Sequence, residues 1–142
     1  MELICGYDEG MIDEEVKREM TDIAKKHGLS LVVLFGSQAT KRAHAKSDID
    51  IAVLPKESDT LSKAAEDISG AFGRDDVEVA DLSIPSPYLW RAVARDGILL
   101  FEEEPELFSK WRLRAMNLWY DAAPIRERQK RALRAWADAQ KT

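Results

Sequence analysis

Two aspartates, Asp48 and Asp50, stand two residues apart at the start of an apolar run that is typical of a β-strand. Because side chains alternate across a strand, residues two apart share a face, and these two carboxylates converge. Without a cation they would repel each other, whereas hard oxygen ligands of this kind favour Mg²⁺. The pair therefore predicts either a magnesium site or an ordinary strand that begins with two solvated aspartates.

A Gly-Ser pair, Gly36 and Ser37, directly follows another apolar run at 31–35. A glycine after a strand lets the backbone approach a ligand closely. The free N–H groups and the hydroxyl at the start of a helix can hold phosphate oxygens. This is not a Walker loop, because no Gly-Lys-Ser/Thr follows at the required spacing. The pair predicts a phosphate-binding turn, with a simple turn as the alternative.

Glu78 is the candidate for a third acid that completes a two-metal site. In the predicted strand 77–82, Val77 and Val79 share one face with Asp81, and Glu78 lies on the other. Asp81 is expected to cap the following turn instead. A solvated Glu78 is the alternative, and the choice between Glu78 and Asp81 as the third acid stays open at this point.

The elements that must position these residues are read from hydrophobic periodicity and from the glycines, prolines and capping residues between them. Their order predicts an α/β or α+β domain with a mixed sheet flanked by helices and with further helices at the C-terminus. The predicted helices are 13–27, 61–72, 86–96, 107–120 and 125–139, and the predicted strands are 31–35, 49–54, 77–82 and 98–101.

The chain has 142 residues, of which 45% are hydrophobic and 33% charged, as expected for one globular domain. We expect a compact core at 1–105 and a helical extension at 106–142. The single cysteine, Cys5, excludes an internal disulfide. No apolar run approaches the roughly 20 residues that span a bilayer, and the N-terminus lacks the pattern of a signal peptide. These features predict a cytoplasmic protein without a membrane contact.

Charge is distributed unevenly along the chain. Residues 1–106 carry 12 Lys+Arg and 23 Asp+Glu, whereas residues 107–142 carry 9 and 3. The net charge of −5 argues against direct nucleic-acid binding by the whole chain. The apolar faces of the two last helices either pack on the domain or contact a partner; for the last, basic helix we expect a protein partner or a second copy, with RNA as the alternative. His27 and His44 have no partner pattern and are expected at the surface.

These motifs resemble the polymerase-beta-like nucleotidyltransferases. Gly-Ser, ten residues and then Asp-x-Asp is the signature of that family, and it stands here at 36–50. Residues 77–82 are similar to the strand that carries the family's third acid, and residues 86–101 to its helix and closing strand. The length and the trailing helices resemble the minimal nucleotidyltransferases called MntA-type antitoxins, which are partnered with HEPN-domain toxins called HepT. The resemblance covers about residues 12–120.

The resemblance implies a reaction and a role for each candidate residue. Gly36 and Ser37 would hold the β- and γ-phosphates of ATP, Asp48 and Asp50 would hold two Mg²⁺ ions, and Glu78 would join one ion and accept a proton. A hydroxyl, which in such antitoxins is a tyrosine of the toxin, attacks the α-phosphorus, and pyrophosphate leaves. A HEPN-type RNase toxin would thus be adenylylated and neutralised. Toxin and antitoxin would also be able to assemble into a higher-order complex. The alternatives are a weakened enzyme that neutralises the toxin by occlusion, and a nucleotidyltransferase with another acceptor.

Lys41 stands where the family usually has a glycine. If that position needs a positive φ, lysine strains the backbone by about 1 kcal/mol, and Lys41→Gly should stabilise the loop and leave transfer equal or faster. If Lys41 contributes charge near the triphosphate, the same change should raise the apparent KM for the nucleotide about tenfold. Steady-state kinetics over a range of nucleotide concentrations distinguish the two, because an increase of that size rules out the strain account.

Overall fold

The computed structural model describes residues 14–36 and 48–141. Each predicted helix and strand is present there within two residues of its expected bounds, and a short 3₁₀ turn, Ser58–Thr60, precedes the second helix. The helices are α1 (Glu14–His27), α2 (Leu61–Phe72), α3 (Pro87–Asp96), α4 (Leu107–Asp121) and α5 (Ala123–Ala139). The strands are β1 (Leu29–Phe35), β2 (Ile49–Pro55), β3 (Val77–Asp81) and β4 (Ile98–Glu102).

The four strands form one sheet in the order β3-β2-β1-β4. β2 and β3 are parallel and are connected through α2, whereas β1 is antiparallel to both β2 and β4. The predicted mixed sheet is therefore confirmed. Because β2 and β3 are parallel, both begin at the same end of the sheet, and the antiparallel β1 ends there. We call this the acidic end, since Asp48, Asp50 and Glu78 lie at the starts of the two parallel strands.

Helices cover both faces of the sheet, so the domain has three layers. Each face of the sheet therefore packs on its own hydrophobic core. Each fully buried aliphatic side chain contributes about 1.5–3 kcal/mol relative to an exposed one, so these two cores supply much of the stability. The core under α1 and α2 contains Met20, Ala24, Leu29, Val32, Leu34, Ile49, Ile51, Val53, Ala64, Ile68 and Leu100. The core under α3 and α4 contains Leu31, Val33, Ala52, Leu82, Trp90, Val93, Ala94, Phe108, Trp111 and Ala115.

The predicted end of α2 at Gly73 is confirmed. Gly73 has φ of 65°, in the left-handed region where a side chain would be strained, and its N–H donates to Ser69 O at 2.9 Å. The main chain therefore turns sharply after α2 and enters the loop that leads to β3.

The two C-terminal helices behave differently. The apolar face of α4 packs on the domain, since Phe108, Trp111 and Ala115 are buried. α5 has no buried residue, and Leu133 and Trp136 are 65% and 63% exposed. Within the described residues, α5 is thus an amphipathic helix whose apolar side chains are left uncovered.

α5 is attached to the domain through its first turn. The Arg126 guanidinium lies 3.5 Å from the centre of the Trp119 ring and also donates to the main-chain oxygen of Trp119. The Trp119 ring in turn contacts Tyr88 at the start of α3, with 5.3 Å between centroids. Since α3 follows the far end of β3, α5 leaves the domain at the end opposite the acidic end.

The expectation that His27 lies at the surface is wrong. Its side chain is 9% exposed, and its Nε2 lies 2.6 Å from Asp67 Oδ2, which joins α1 to α2. Hydrogen bonds from His27 and then Lys26 lower the pKa of the Asp67 carboxyl. His44 lies outside the described residues. No helix in the described ranges is long and apolar enough to cross a membrane.

Candidate active site

Asp50 and Glu78 are direct neighbours across the parallel pair β2–β3. On its other side, Asp50 pairs with Phe35, the last residue of β1. Asp48 is exposed and immediately precedes β2, two residues before Asp50. The structure therefore brings the three acids singled out from the sequence to one end of the sheet.

The electrostatics of Asp50 reflect this arrangement. Burial raises the pKa of its carboxyl above the ordinary value, and the nearby carboxylates of Glu78 and then Asp48 raise it further. Ionised Asp50 is thus disfavoured twice, by lost hydration and by like charge. A cation bound between the carboxylates would relieve the repulsion.

Gly36 lies directly against the Asp50 carboxylate. Its φ is +79°, which L side chains rarely adopt, and a Cβ built at this position would collide with Asp50 Oδ2. Only glycine lets the turn after β1 come this close to the acidic group. The predicted approach of the Gly36 backbone to a phosphate stays a prediction, and Ser37 and Lys41 lie outside the described residues.

Asp81 has a structural role. Its Oδ1 accepts hydrogen bonds from the main-chain N–H and the hydroxyl of Ser83, at 2.8 and 2.7 Å. In the sheet Asp81 pairs with Val53, three positions beyond the pair formed by Asp50 and Glu78. The expectation that Asp81 caps the turn is confirmed, and Glu78 is the acid that lies beside Asp50.

The acidic end offers the ligand chemistry that Mg²⁺ requires. Asp48, Asp50 and Glu78 supply only carboxylate oxygens, which are hard donors. In the described part of the chain, no three or more His, Cys, Asp or Glu side chains form a ready-made metal cluster. Mg²⁺ commonly takes one or two carboxylates together with substrate phosphates rather than a complete protein cage. The three acids fit a metal that arrives with a nucleotide.

A groove of about 360 Å³ between α1 and α2 does not compete as the site. It is lined by Glu19, Asp22, Ile23, Lys26, Asp67, Gly70 and Ala71. Asp67 is already bound to His27 and Lys26, and none of the acids predicted from the sequence borders it. The acidic end is thus the candidate active site.

One ion pair at this end gives no signal in the sequence. Arg74 and Asp76, in the loop before β3, form a two-point contact through Nε–Oδ1 at 2.8 Å and Nη2–Oδ2 at 2.5 Å. An arginine two residues from an aspartate in a loop is common, and only the fold places this pair beside the start of β2.

The candidate active site thus consists of acids at the starts of two adjacent parallel strands, beside a glycine that follows a third, on a mixed sheet. A family model described as "Polymerase beta, Nucleotidyltransferase" matches residues 18–106. The chain belongs to this nucleotidyltransferase family.

Similar proteins agree with this assignment. The chain is 35% identical over 100 residues to the "Protein adenylyltransferase MntA" of Aphanizomenon flos-aquae (strain 2012/KM1/D3), a match that covers 62% of this chain and 67% of that protein. A chain of a toxin–antitoxin crystal structure with AMP-PNP has a TM-score of 0.70 at 22% identity, covering 82% of this chain and 97% of that one. A chain of the complex between the tri-AMPylated Shewanella oneidensis HEPN toxin and its MNT antitoxin has a TM-score of 0.65 at 21% identity, covering 83% and 95%. The two structures show the same fold.

Gly36→Ala should destabilise the protein by about 1–2 kcal/mol or more, because it adds left-handed strain and a clash with Asp50. Gly70→Ala is the matched control, since a Cβ there meets nothing within 4 Å and alanine favours a helix by about 0.5–1 kcal/mol. Urea unfolding of both variants measures the difference. A Gly36→Ala protein as stable as the wild type would contradict the close approach.

Asp50→Asn should raise the metal-free stability at pH 7. When the pKa of an acid is raised in the folded state, the protein loses stability as the pH rises above the ordinary aspartate pKa of about 3.9. Asparagine does not titrate and causes no such loss. The gain should therefore vanish below that pH, where aspartate is protonated in both states. Thermal unfolding in EDTA from pH 3 to 8 tests this, with the exposed Asp59→Asn as a control that should show no comparable gain.

Proposed function

We propose that this protein transfers AMP from ATP, with Mg²⁺, to a hydroxyl of a HEPN-type RNase toxin and thereby neutralises it in the cytoplasm. The acceptor is a tyrosine of the toxin. The observation that carries the proposal is the register pair of Asp50 and Glu78, with Gly36 packed against Asp50. A relative that is named a protein adenylyltransferase supports the choice of AMP and of a protein acceptor.

The chain's own residues prepare the site for the nucleotide. Asp48, Asp50 and Glu78 would hold two Mg²⁺ ions, which supply charge stabilisation to the attacking and leaving oxygens. Gly36 leaves room for the main chain to approach the β- and γ-phosphates, and Ser37 follows it with a hydroxyl donor. Burial and the neighbouring carboxylates raise the pKa of Asp50, so a bound cation would favour its ionised form.

The transfer exchanges one phosphorus–oxygen bond for another. The tyrosine oxygen forms a bond to the α-phosphorus of ATP while the bond from that phosphorus to the pyrophosphate oxygen breaks, and pyrophosphate leaves with the electron pair. Glu78 is exposed and lies beside Asp50, so it can accept the tyrosine proton and pass it to solvent. Positioning and charge stabilisation therefore account for the catalysis, as is general for phosphoryl transfer.

The acceptor has to reach an open end of the sheet. Asp48 and Glu78 are both exposed, so a tyrosine on the surface of a folded protein has access to them. A second contact is proposed for α5, whose exposed Leu133 and Trp136 suit a protein interface flanked by arginines. Since α5 leaves the domain at the opposite end, the two surfaces would engage one large toxin or a higher-order complex.

Binding without catalysis is the competing function. An antitoxin with a weakened site would neutralise its toxin by occlusion and would leave the toxin's mass unchanged. A nucleotidyltransferase with another acceptor would likewise leave the toxin unmodified, but it would not bind it. Two measurements separate these functions: the mass of the toxin, and whether the toxin remains bound to this protein.

Co-expression with the toxin, followed by intact mass spectrometry, is the direct test. The toxin should gain whole AMP units with the wild-type protein and none with Asp48→Asn, because one metal ligand is lost. Asp81→Asn is the matched control: it alters an aspartate that is bound to Ser83 and should leave the mass gain intact. Trp136→Ser should weaken capture of the toxin and spare the acidic end.

Neutralisation by the wild-type protein and by Asp48→Asn to the same extent, with no mass gain in either case, would establish occlusion instead. Mass gain with Asp48→Asn equal to that with the wild type would show that the acidic end is not the active site.

A further inference from the structure

The contact between Arg74 and Asp76 is a rigid one. Two guanidinium nitrogens donate to the two oxygens of one carboxylate, which fixes the plane of the arginine as well as its distance. Both side chains are partly withdrawn from solvent, with 24% and 35% of their surface exposed. The pair therefore holds the loop between α2 and β3 in one conformation.

Main-chain hydrogen bonds connect this loop to its neighbours on either side. The N–H of Arg74 points to Ser69 O at the end of α2, at 3.4 Å, and Asp76 O accepts from Ile49 N at 3.1 Å. Ile49 lies between Asp48 and Asp50. The ion pair thus joins the end of α2 to the residue between two of the proposed metal ligands.

The charges favour the same arrangement. The carboxylate of Asp76 raises the pKa of the Arg74 guanidinium, and Asp48 adds to this effect from nearby. Arg74 therefore lies within the field of the acidic end, not at a remote surface.

β3 is a short edge strand, so its position depends on the loop that precedes it. It has five residues, and at the edge of the sheet it pairs only with β2. Its first pair joins Val77 to Ile49, and Glu78 follows at once beside Asp50. A shift in the loop before Val77 would move Glu78 directly.

We infer that Arg74 is a positioning residue: through its two-point contact with Asp76, it fixes the start of β3 against β2 and so sets the separation of Glu78 from Asp50. The inference rests on the proposed transfer reaction. Arg74 acts through Asp76 and Glu78, and not by contact with the nucleotide.

A double-mutant cycle tests this role. Arg74→Gln and Asp76→Asn should each lower kcat roughly tenfold, by misplacing a catalytic group, and raise the Mg²⁺ concentration for half-maximal rate, while the KM for ATP changes little. The double variant should lose much less activity than the product of the two single losses, since Arg74 and Asp76 share one contact. Arg74→Lys keeps the charge but loses the two-point contact with Asp76, so its kcat and its Mg²⁺ dependence should resemble those of Arg74→Gln.

Two results would overturn the inference. If Arg74→Gln raises the KM for ATP and Asp76→Asn does not, Arg74 contacts the nucleotide itself. If Arg74→Lys restores wild-type kcat, charge and not geometry matters. Lys56→Gln is the control, because it removes an ion pair with Glu103 at the opposite end of β2 and should leave kcat and the Mg²⁺ dependence unchanged.

Calorimetric titration of Mg²⁺ in the presence of AMP-PNP provides a readout that needs no acceptor. Arg74→Gln and Asp76→Asn should weaken Mg²⁺ binding to the same extent, and Lys56→Gln should not. If this holds while the wild-type protein modifies no toxin, the positioning role stands and the proposed acceptor is wrong. Unchanged Mg²⁺ binding in both variants would remove the positioning role even where the toxin is modified.

Discussion

The parallel pairing of β2 with β3 is the constraint on which the candidate site depends. It places Asp50 and Glu78 side by side, although like charges repel and Asp50 is partly withdrawn from water. The pKa of Asp50 is raised for this reason. Left alone, the two strands would separate at this end, so the rest of the fold has to hold them together.

The two helical layers supply that restraint. Ile49, Ile51 and Val53 point into the core under α1 and α2, and Ala52 points into the core under α3 and α4. β2 is thus buried on both faces one residue beyond Asp50, and only its start is open. A strand packed in this way cannot rotate to relieve its charged end, which is how a stable domain maintains a destabilised site.

The division between a packed domain and a projecting helix gives the molecule two chemically different surfaces. One end is acidic and suits a cation with a nucleotide. The other carries α5, which is basic and has uncovered apolar residues. Because α5 starts at the end of the sheet opposite the acidic end, the proposed catalysis and the proposed partner contact would use separate residues.

The sequence alone determined the element bounds to within two residues, because helix periodicity, strand alternation and glycines such as Gly73 act over a few residues. Alternation also predicted that Glu78 lies on the face opposite Val77 and Val79, and turn chemistry predicted that Asp81 caps a turn. Only the tertiary structure decided that these strands are adjacent and in register, that His27 meets Asp67 between two helices, and that Arg74 and Asp76 lie against β2. Those contacts depend on how distant segments pack, and no local pattern records the packing.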